Sequence, residues 1–170
     1  MSNLIAFAGY AREGKDAAAH KLISLGWKRI AFGDIIKRQL DPLVKQHLKF
    51  SAFTESDELK QLIRPILEQW GEVNYDGVMR EFFDSLPTHA VNTRLVRLRE
   101  AKEWISRGGI ILRIRRPGVD PATEWERTRL QELYDGGAIH DTIINDSTLD
   151  VLWDRVGRFA AFRDPYLQTR

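Results

Sequence analysis

The sequence predicts an α/β protein in which a parallel five-stranded sheet is covered by helices on both faces. Three observations carry that expectation. Five short strand patterns alternate with helical stretches along the chain. The first of them, NLIAFA at 3–8, is wholly apolar, as befits a strand buried on both faces. Directly behind it, GYAREGKD at 9–16 sets two glycines and a lysine between strand and helix, at the carboxyl end where such sheets bind ligands.

The elements follow in order. After 3–8, a helix is predicted from Lys15 to Leu25, stopped by Gly26. WKRIAF at 27–32 reads as a second strand, and Gly33 to His47 as a helix interrupted near Pro42. ESDELKQLIRPILEQW at 55–70 carries Leu59, Leu62, Ile63, Ile66 and Leu67 at helical spacing, with a kink or break expected at Pro65. A further helix is expected near 74–85, a strand at 88–93, and a helix running to Arg107 that Gly108-Gly109 ends. IILRIR at 110–115 and DTIIN at 141–145 complete the strands; STLDVLWDRVGRFAAF at 147–162 closes as a helix with Ser147 as its N-cap. There is no internal repeat, low-complexity stretch or linker, so the 170 residues are expected to form one domain, 1–170.

Composition narrows the function classes. The absence of cysteine excludes a disulfide framework or a thiolate metal site, and His20, His47, His89 and His140 share no metal-ligand spacing. No apolar run is long enough for a membrane span, and the chain begins without the basic and apolar regions of a signal peptide. A cytoplasmic protein without a membrane partner is the expectation. A net charge of +2 is too small to argue for nucleic acid, although the pI is about 9.0.

The loop at 9–16 has the spacing of a phosphate cradle: glycine, four residues, glycine, lysine. Gly9 and Gly14 let the backbone turn so that successive N–H groups face phosphate oxygens. The helix starting at Lys15 adds its positive dipole end, to which the Ala17 amide belongs, and the Lys15 ammonium reaches the outer phosphates. Phosphate loops normally continue with serine or threonine, whose hydroxyl takes magnesium. Here Asp16 follows, a carboxylate able to hold the metal directly or through water, and equally a first-turn residue favoured by the helix dipole.

At this point a family resemblance emerges. AGYAREGKDAAAHKL resembles the opening of bacteriophage deoxynucleoside monophosphate kinases, in which GKD replaces the usual lysine-serine or lysine-threonine pair. IAFGDIIKRQL (30–40), LIRPILEQWGE (62–72), GGIILRIRRPG (108–118) and DTIINDSTLDVLWDRV (141–156) resemble later segments of that family in the same order. The resemblance implies a P-loop kinase fold with acceptor-binding helices at about 33–85 and a short lid at about 117–138. It implies ATP as phosphoryl donor, Mg2+ as its companion, small nucleotides as partners, and the host cytoplasm as location if the chain is phage-encoded. A homodimer is compatible with it, and nucleic acid is not an expected partner. Where the family shows an acid two residues before an arginine, this chain has Asn92 before Arg94, with Arg97 as an alternative register. The metal burden therefore shifts to Asp16 and Asp34.

Phosphoryl transfer to a phosphate acceptor calls for cations rather than a base, because the attacking oxygen is already ionised. Arginine binds phosphate with a fixed fork and stays charged. Candidates are Arg64 on the third helix, Arg94 at a strand end, Arg116 just past a strand, Arg127 and Arg129 on the lid, and Arg12 in the loop, each against the plain alternative of a solvated arginine. Lys37 is a candidate for the acceptor phosphate. Asp34 could order magnesium waters or bind the acceptor sugar, and also suits the N-cap of a helix beginning at Ile35. Trp70 and Tyr75, flanking Gly71, could wall in an acceptor base or simply be core. Asn145, in NDSTLD, is placed near the donor adenine or in an ordinary strand-to-helix turn. Two other readings stay open: a dephospho-coenzyme A kinase-like enzyme with Asp34 as base, and a nucleotide-binding module without turnover.

Overall fold

In the computed structural model, which describes residues 3–95 and 97–163, the chain runs β1 (Asn3–Ala8), α1 (Lys15–Ser24), β2 (Lys28–Arg29), α2 (Phe32–Leu48), α3 (Asp57–Val73) and α4 (Tyr75–Asp84). It continues through β3 (His89–Asn92), α5 (Leu98–Ser106), β4 (Ile110–Arg115), α6 (Glu124–Asp135), β5 (Asp141–Ile144) and α7 (Leu149–Arg163). Every strand pairing among the described residues is parallel, and the sheet order is β2-β3-β1-β4-β5. Ala6 stands opposite both Asn92 and Ile111, so β1 is central. This is the predicted α/β architecture, a parallel five-stranded sheet with helices.

The chain divides into two compact units: Met1–Ile30 with Pro87–Arg170, and Ala31–Leu86. In the first, the pleat sends Ile5 and Phe7 to one face of β1, where they meet Ala18, Ala19 and Leu22 of α1 and Leu152, Val156 and Ala160 of α7. Leu4 and Ala6 point the other way, on the face to which α5 brings the buried Ala101 and Trp104. Each fully buried aliphatic or aromatic side chain contributes about 1.5–3 kcal/mol, so this two-sided core is what fixes the strand ends that carry the loops.

The second unit is helical. Leu40 and Val44 of α2 pack with Ala52 and Ile63, and Phe32 stacks on Phe82 at 3.9 Å between ring centroids.

Several boundaries differ from the predicted ones for identifiable reasons. β2 keeps only Lys28–Arg29, because α2 begins already at Phe32 with Ala31 in extended conformation as N-cap. Asp34 is therefore a first-turn residue whose N–H bonds to Ala31 O at 3.0 Å, and not the N-cap. Pro42 and Pro65 interrupt neither α2 nor α3. Each proline deprives the carbonyl four residues back of its amide; those carbonyls belong to Arg38 and Gln61, both exposed residues, so the loss falls on the solvent side of each helix. Thr148, not Ser147, caps α7, its hydroxyl accepting the Val151 N–H at 3.4 Å. α6, not foreseen as a helix, is capped by Thr123, which accepts from Glu126 N–H at 3.2 Å.

Candidate functional site

The loop between β1 and α1 turns on left-handed residues. Gly9 has φ +147° and Gly14 φ +101°, and Arg12 adopts φ +66° although it is not glycine. A non-glycine residue held there is strained, and alternating hands of this kind aim successive N–H groups into one concavity. The first-turn N–H groups of α1 have no carbonyl four residues earlier to bond, and the first helical bond closes only at Ala18 N–H to Gly14 O, 2.9 Å. Lys15 curls back into the loop, its Nζ donating to Gly9 O at 2.7 Å and Tyr10 O at 2.6 Å. Burial pushes the Lys15 ammonium below the usual lysine range, opposed by the negative charges of Glu13, Glu126 and Asp16. A partly desolvated cation bonded to two carbonyls thus lies at the N-terminus of α1, where it adds to the positive end of the helix dipole.

The loop is braced from three strands. Glu13 and Arg113 of β4 form a buried two-pronged ion pair, with Arg113 Nη2 to Glu13 Oε1 at 2.7 Å and Nη1 bonded to Oε2. Glu13 also accepts the Tyr10 N–H, and the Tyr10 ring covers the guanidinium at 4.9 Å. Asn145, just past β5, donates from Nδ2 to Glu13 O at 2.9 Å, and a Cβ on Gly14 would lie 2.5 Å from that nitrogen. Thr93, just past β3, donates from Oγ1 to Asp16 Oδ1 at 2.9 Å. A fourth contact comes from α6: Glu126 accepts the Ala11 N–H at 3.1 Å and the Ala122 N–H at 2.8 Å.

The predicted site residues divide accordingly. Gly9, Arg12, Gly14, Lys15, Asp16 and Ala17 all belong to this loop and the first turn of α1; Ala17 offers its carbonyl to Trp153 Nε1 at 2.9 Å. Asn145 braces the loop with its side chain rather than presenting its backbone alone. Arg94 and Arg116 are exposed, the former with its N–H on Asn92 Oδ1 at 2.7 Å, the latter in a turn closed by Val119 N–H to Arg116 O at 3.3 Å. Arg97 is the N-cap of α5, its N–H accepted by Glu100 Oε2 at 3.1 Å. Arg127 and Arg129 pair along α6 with Glu124 at 3.4 Å and Glu132 at 2.7 Å.

In the helical unit, Arg64 pairs with Glu68 at 2.7 Å on an exposed face. Lys37 lies 5.6 Å from the centre of the Phe53 ring, and Asp34 is half-buried. Trp70 donates to Gln39 Oε1 at 2.8 Å and Gly71 packs on Ile36, so both serve the contact of α2 with α3. Tyr75 opens α4.

Glu13, Arg113, Thr93 and Glu126 were not among the predicted residues. The sequence holds one usable signal. Arg113 interrupts IILRIR, and an arginine inside a strand buried on both faces demands a carboxylate. Nothing in the spacing points to Thr93 or Glu126.

Among the described residues no group of three or more histidine, aspartate or glutamate side chains could hold a metal. Asp16 is one exposed carboxylate with one lone-pair site taken by Thr93. That fits magnesium only as a partner of phosphate oxygens and water, which is how the ion usually sits at nucleotides.

No protein-family profile matches the chain and no curated protein matches it significantly. Solved structures do match over nearly its full length. A dephospho-CoA kinase from Campylobacter jejuni is similar at TM-score 0.49 and 15% identity, covering 98% of this chain and 100% of that one. A shikimate kinase from Acinetobacter baumannii in complex with shikimate is similar at TM-score 0.48 and 16% identity, covering 95% and 92%. An unliganded sugar kinase from Janibacter sp. is similar at TM-score 0.46 and 12% identity, covering 98% of each.

Proposed function

We propose that the chain is a nucleotide kinase that transfers the γ-phosphoryl group of ATP to a deoxynucleoside monophosphate. The observation that carries the reading is the 9–16 loop: left-handed glycines, the N-terminus of α1 and a partly desolvated Lys15 turned back onto the Gly9 and Tyr10 carbonyls share one short segment. The deoxynucleotide acceptor rests on the sequence resemblance.

In this reading Lys15 exchanges the Gly9 and Tyr10 carbonyls for phosphate oxygens, and the Ala11 N–H is released from Glu126. The N–H groups of Gly14, Lys15, Asp16 and Ala17 then hold the donor phosphates, with Lys15 following charge onto the moving phosphoryl group. Thr93 holds the Asp16 carboxylate through Oδ1; Asp16 would be the residue to hold magnesium, and the ion would supply charge neutralisation at the phosphates. Arg94 and Arg116, at the carboxyl ends of their strands, are exposed and free to swing to a phosphate; Arg64 and Lys37 are the proposed acceptor contacts of the helical unit. No proton has to leave the acceptor, so no base is assigned.

The role given to Asp16 is separable from helix-dipole stabilisation. Asp16→Asn is expected to raise the magnesium concentration for half-maximal activity by roughly tenfold, about 1.4 kcal/mol. Asp16→Ser, which restores a hydroxyl ligand, is expected to raise it less. Magnesium titrations that coincide for all three proteins would leave Asp16 as a first-turn residue only.

Arg64→Ala is expected to raise KM for the monophosphate by about tenfold and KM for ATP by less than about twofold, since a bidentate phosphate contact is lost at one substrate only. Equal effects on both substrates would remove Arg64 from the acceptor site.

The function is tested by coupled ATP-consumption assays over a panel of acceptors. Deoxynucleoside monophosphates are expected to exceed their ribonucleotide counterparts in kcat/KM by ~5- to 150-fold, the cost of burying a hydroxyl without a partner. Equal efficiencies would defeat the deoxynucleotide assignment alone. Turnover of dephospho-coenzyme A instead of any monophosphate would move the chain to the second kinase class, and no turnover with any acceptor would defeat the enzyme reading.

A further inference from the structure

A carboxylate inside an anion-binding loop needs an explanation, since it should repel the ligand. We infer that Glu13 and Arg113 are positioning residues: their buried pair holds the Gly9–Tyr10 backbone in the shape that receives phosphate, and Arg113 keeps the Glu13 charge from opposing the anion. The inference deepens the proposed function, because it rests on loop 9–16 being a phosphate site.

Four observations converge on the pair. Both side chains are almost wholly buried, at 1% and 3% exposure, so neither is a solvated ion that happens to lie nearby. The guanidinium fork takes both Glu13 oxygens, and its Nη1 also donates to Ile114 O, which ties the loop to the carboxyl end of β4. Glu13 Oε2 accepts the Tyr10 N–H, thereby fixing the Gly9–Tyr10 peptide, whose carbonyl, Gly9 O, receives Lys15 Nζ at 2.7 Å. A Cβ at Gly9 would collide with the guanidinium and lie 2.7 Å from Glu13 Oε2, so the first glycine of the loop makes room for this pair.

The charges around Glu13 come from several elements. Arg113 reaches it from β4, Lys15 from α1, and the negative Asp16 of α1 and Glu126 of α6 share the field at Lys15. Of these only Arg113 is bonded to the Glu13 carboxylate, and it lies outside the loop. Losing Arg113 would leave a buried, uncompensated carboxylate where phosphate must enter. Losing both charges would leave a neutral wall. That asymmetry distinguishes a positioning pair from simple fold support.

The test uses the full chain and inorganic tripolyphosphate, titrated calorimetrically without nucleotide or metal. Arg113→Met is expected to weaken binding about 100-fold near pH 8, as losing one member of a buried charge pair does. Adding Glu13→Gln to it is expected to restore at least about tenfold, since the amide keeps an oxygen for the Tyr10 N–H without the charge. Should Arg113→Met fail to fold by circular dichroism, Arg113→Lys and the double variant carry the test. The lysine keeps the charge without the fork, so weaker binding by Arg113→Lys supports the inference; parent-like binding by Arg113→Lys overturns it. A loss in Arg113→Met that Glu13→Gln does not relieve overturns it as well, leaving the pair as fold support. No binding by the parent protein overturns the phosphate-loop reading itself, and this inference with it.

Discussion

Replacing Lys15 by alanine is expected to lower kcat about a thousandfold, roughly 4 kcal/mol of transition-state stabilisation, while the fold stays intact. The ammonium makes no ion pair in the loop; it donates to two carbonyls and is pushed toward lower pKa by burial. Such a cation gains most from a ligand whose charge shifts during the reaction. Its removal frees two carbonyls in a loop that water can enter, so the structural cost is about 1–2 kcal/mol, and Tm should fall by no more than roughly 2–8 °C. Single-turnover rates beside a thermal melt decide the matter. Near-normal turnover with an unchanged melt would remove Lys15 from the chemistry.

Gly9→Ala carries the other large effect, and it acts through the loop's shape. At φ +147° an L-residue is strained, and its Cβ would meet the Arg113 guanidinium, Glu13 Oε2 and Ile114 O together. None of these can move cheaply, because each is committed to the buried pair or to β4. A destabilisation of about 3 kcal/mol is expected, from backbone strain added to disruption of the pair. For a chain of this size that corresponds to a Tm lower by roughly 6–12 °C, with ATP affinity lost in parallel. A parent-like melting curve would contradict the packing of Arg113 over Gly9. Gly26, where an added Cβ would meet nothing within 4 Å, serves as the control, since Gly26→Ala carries only the strain of its φ of +91°.

Much of this architecture was legible in the chain. β1 and β4 were readable to the residue because short, largely apolar runs next to glycine mark buried strands. The stop of α1 was readable because Gly26 supplies the left-handed residue that ends it. Prolines misled at α2 and α3, since propensity overrates a broken hydrogen bond where the freed carbonyl faces water. The helix of the 117–138 stretch was missed because EWERTRLQELYD has a weak apolar stripe, and Thr123 with Glu126 were its only start signals. Of the residues that brace the loop from other elements, Asn145 was named from the sequence, whereas Thr93, Arg113 and Glu126 were not. Lys15 and Asp16 announce themselves by spacing; Thr93 and Arg113 reach the loop from β3 and β4, a relation that depends on strand order. Trp70 and Gly71 were named for the acceptor, with core as the alternative for Trp70; the structure shows Trp70 bonded to Gln39 and Gly71 against Ile36.

The claim that loop 9–16 is the donor-phosphate site is tested most directly by backbone amide NMR of the labelled protein during titration with ATP and magnesium. The amides of Gly9, Ala11, Gly14, Lys15, Asp16 and Ala17 are expected to shift first and furthest, with that of Ala122 following as Glu126 releases its hold on the loop. Saturating ATP that leaves these amides unmoved, or that moves a different set, would contradict it.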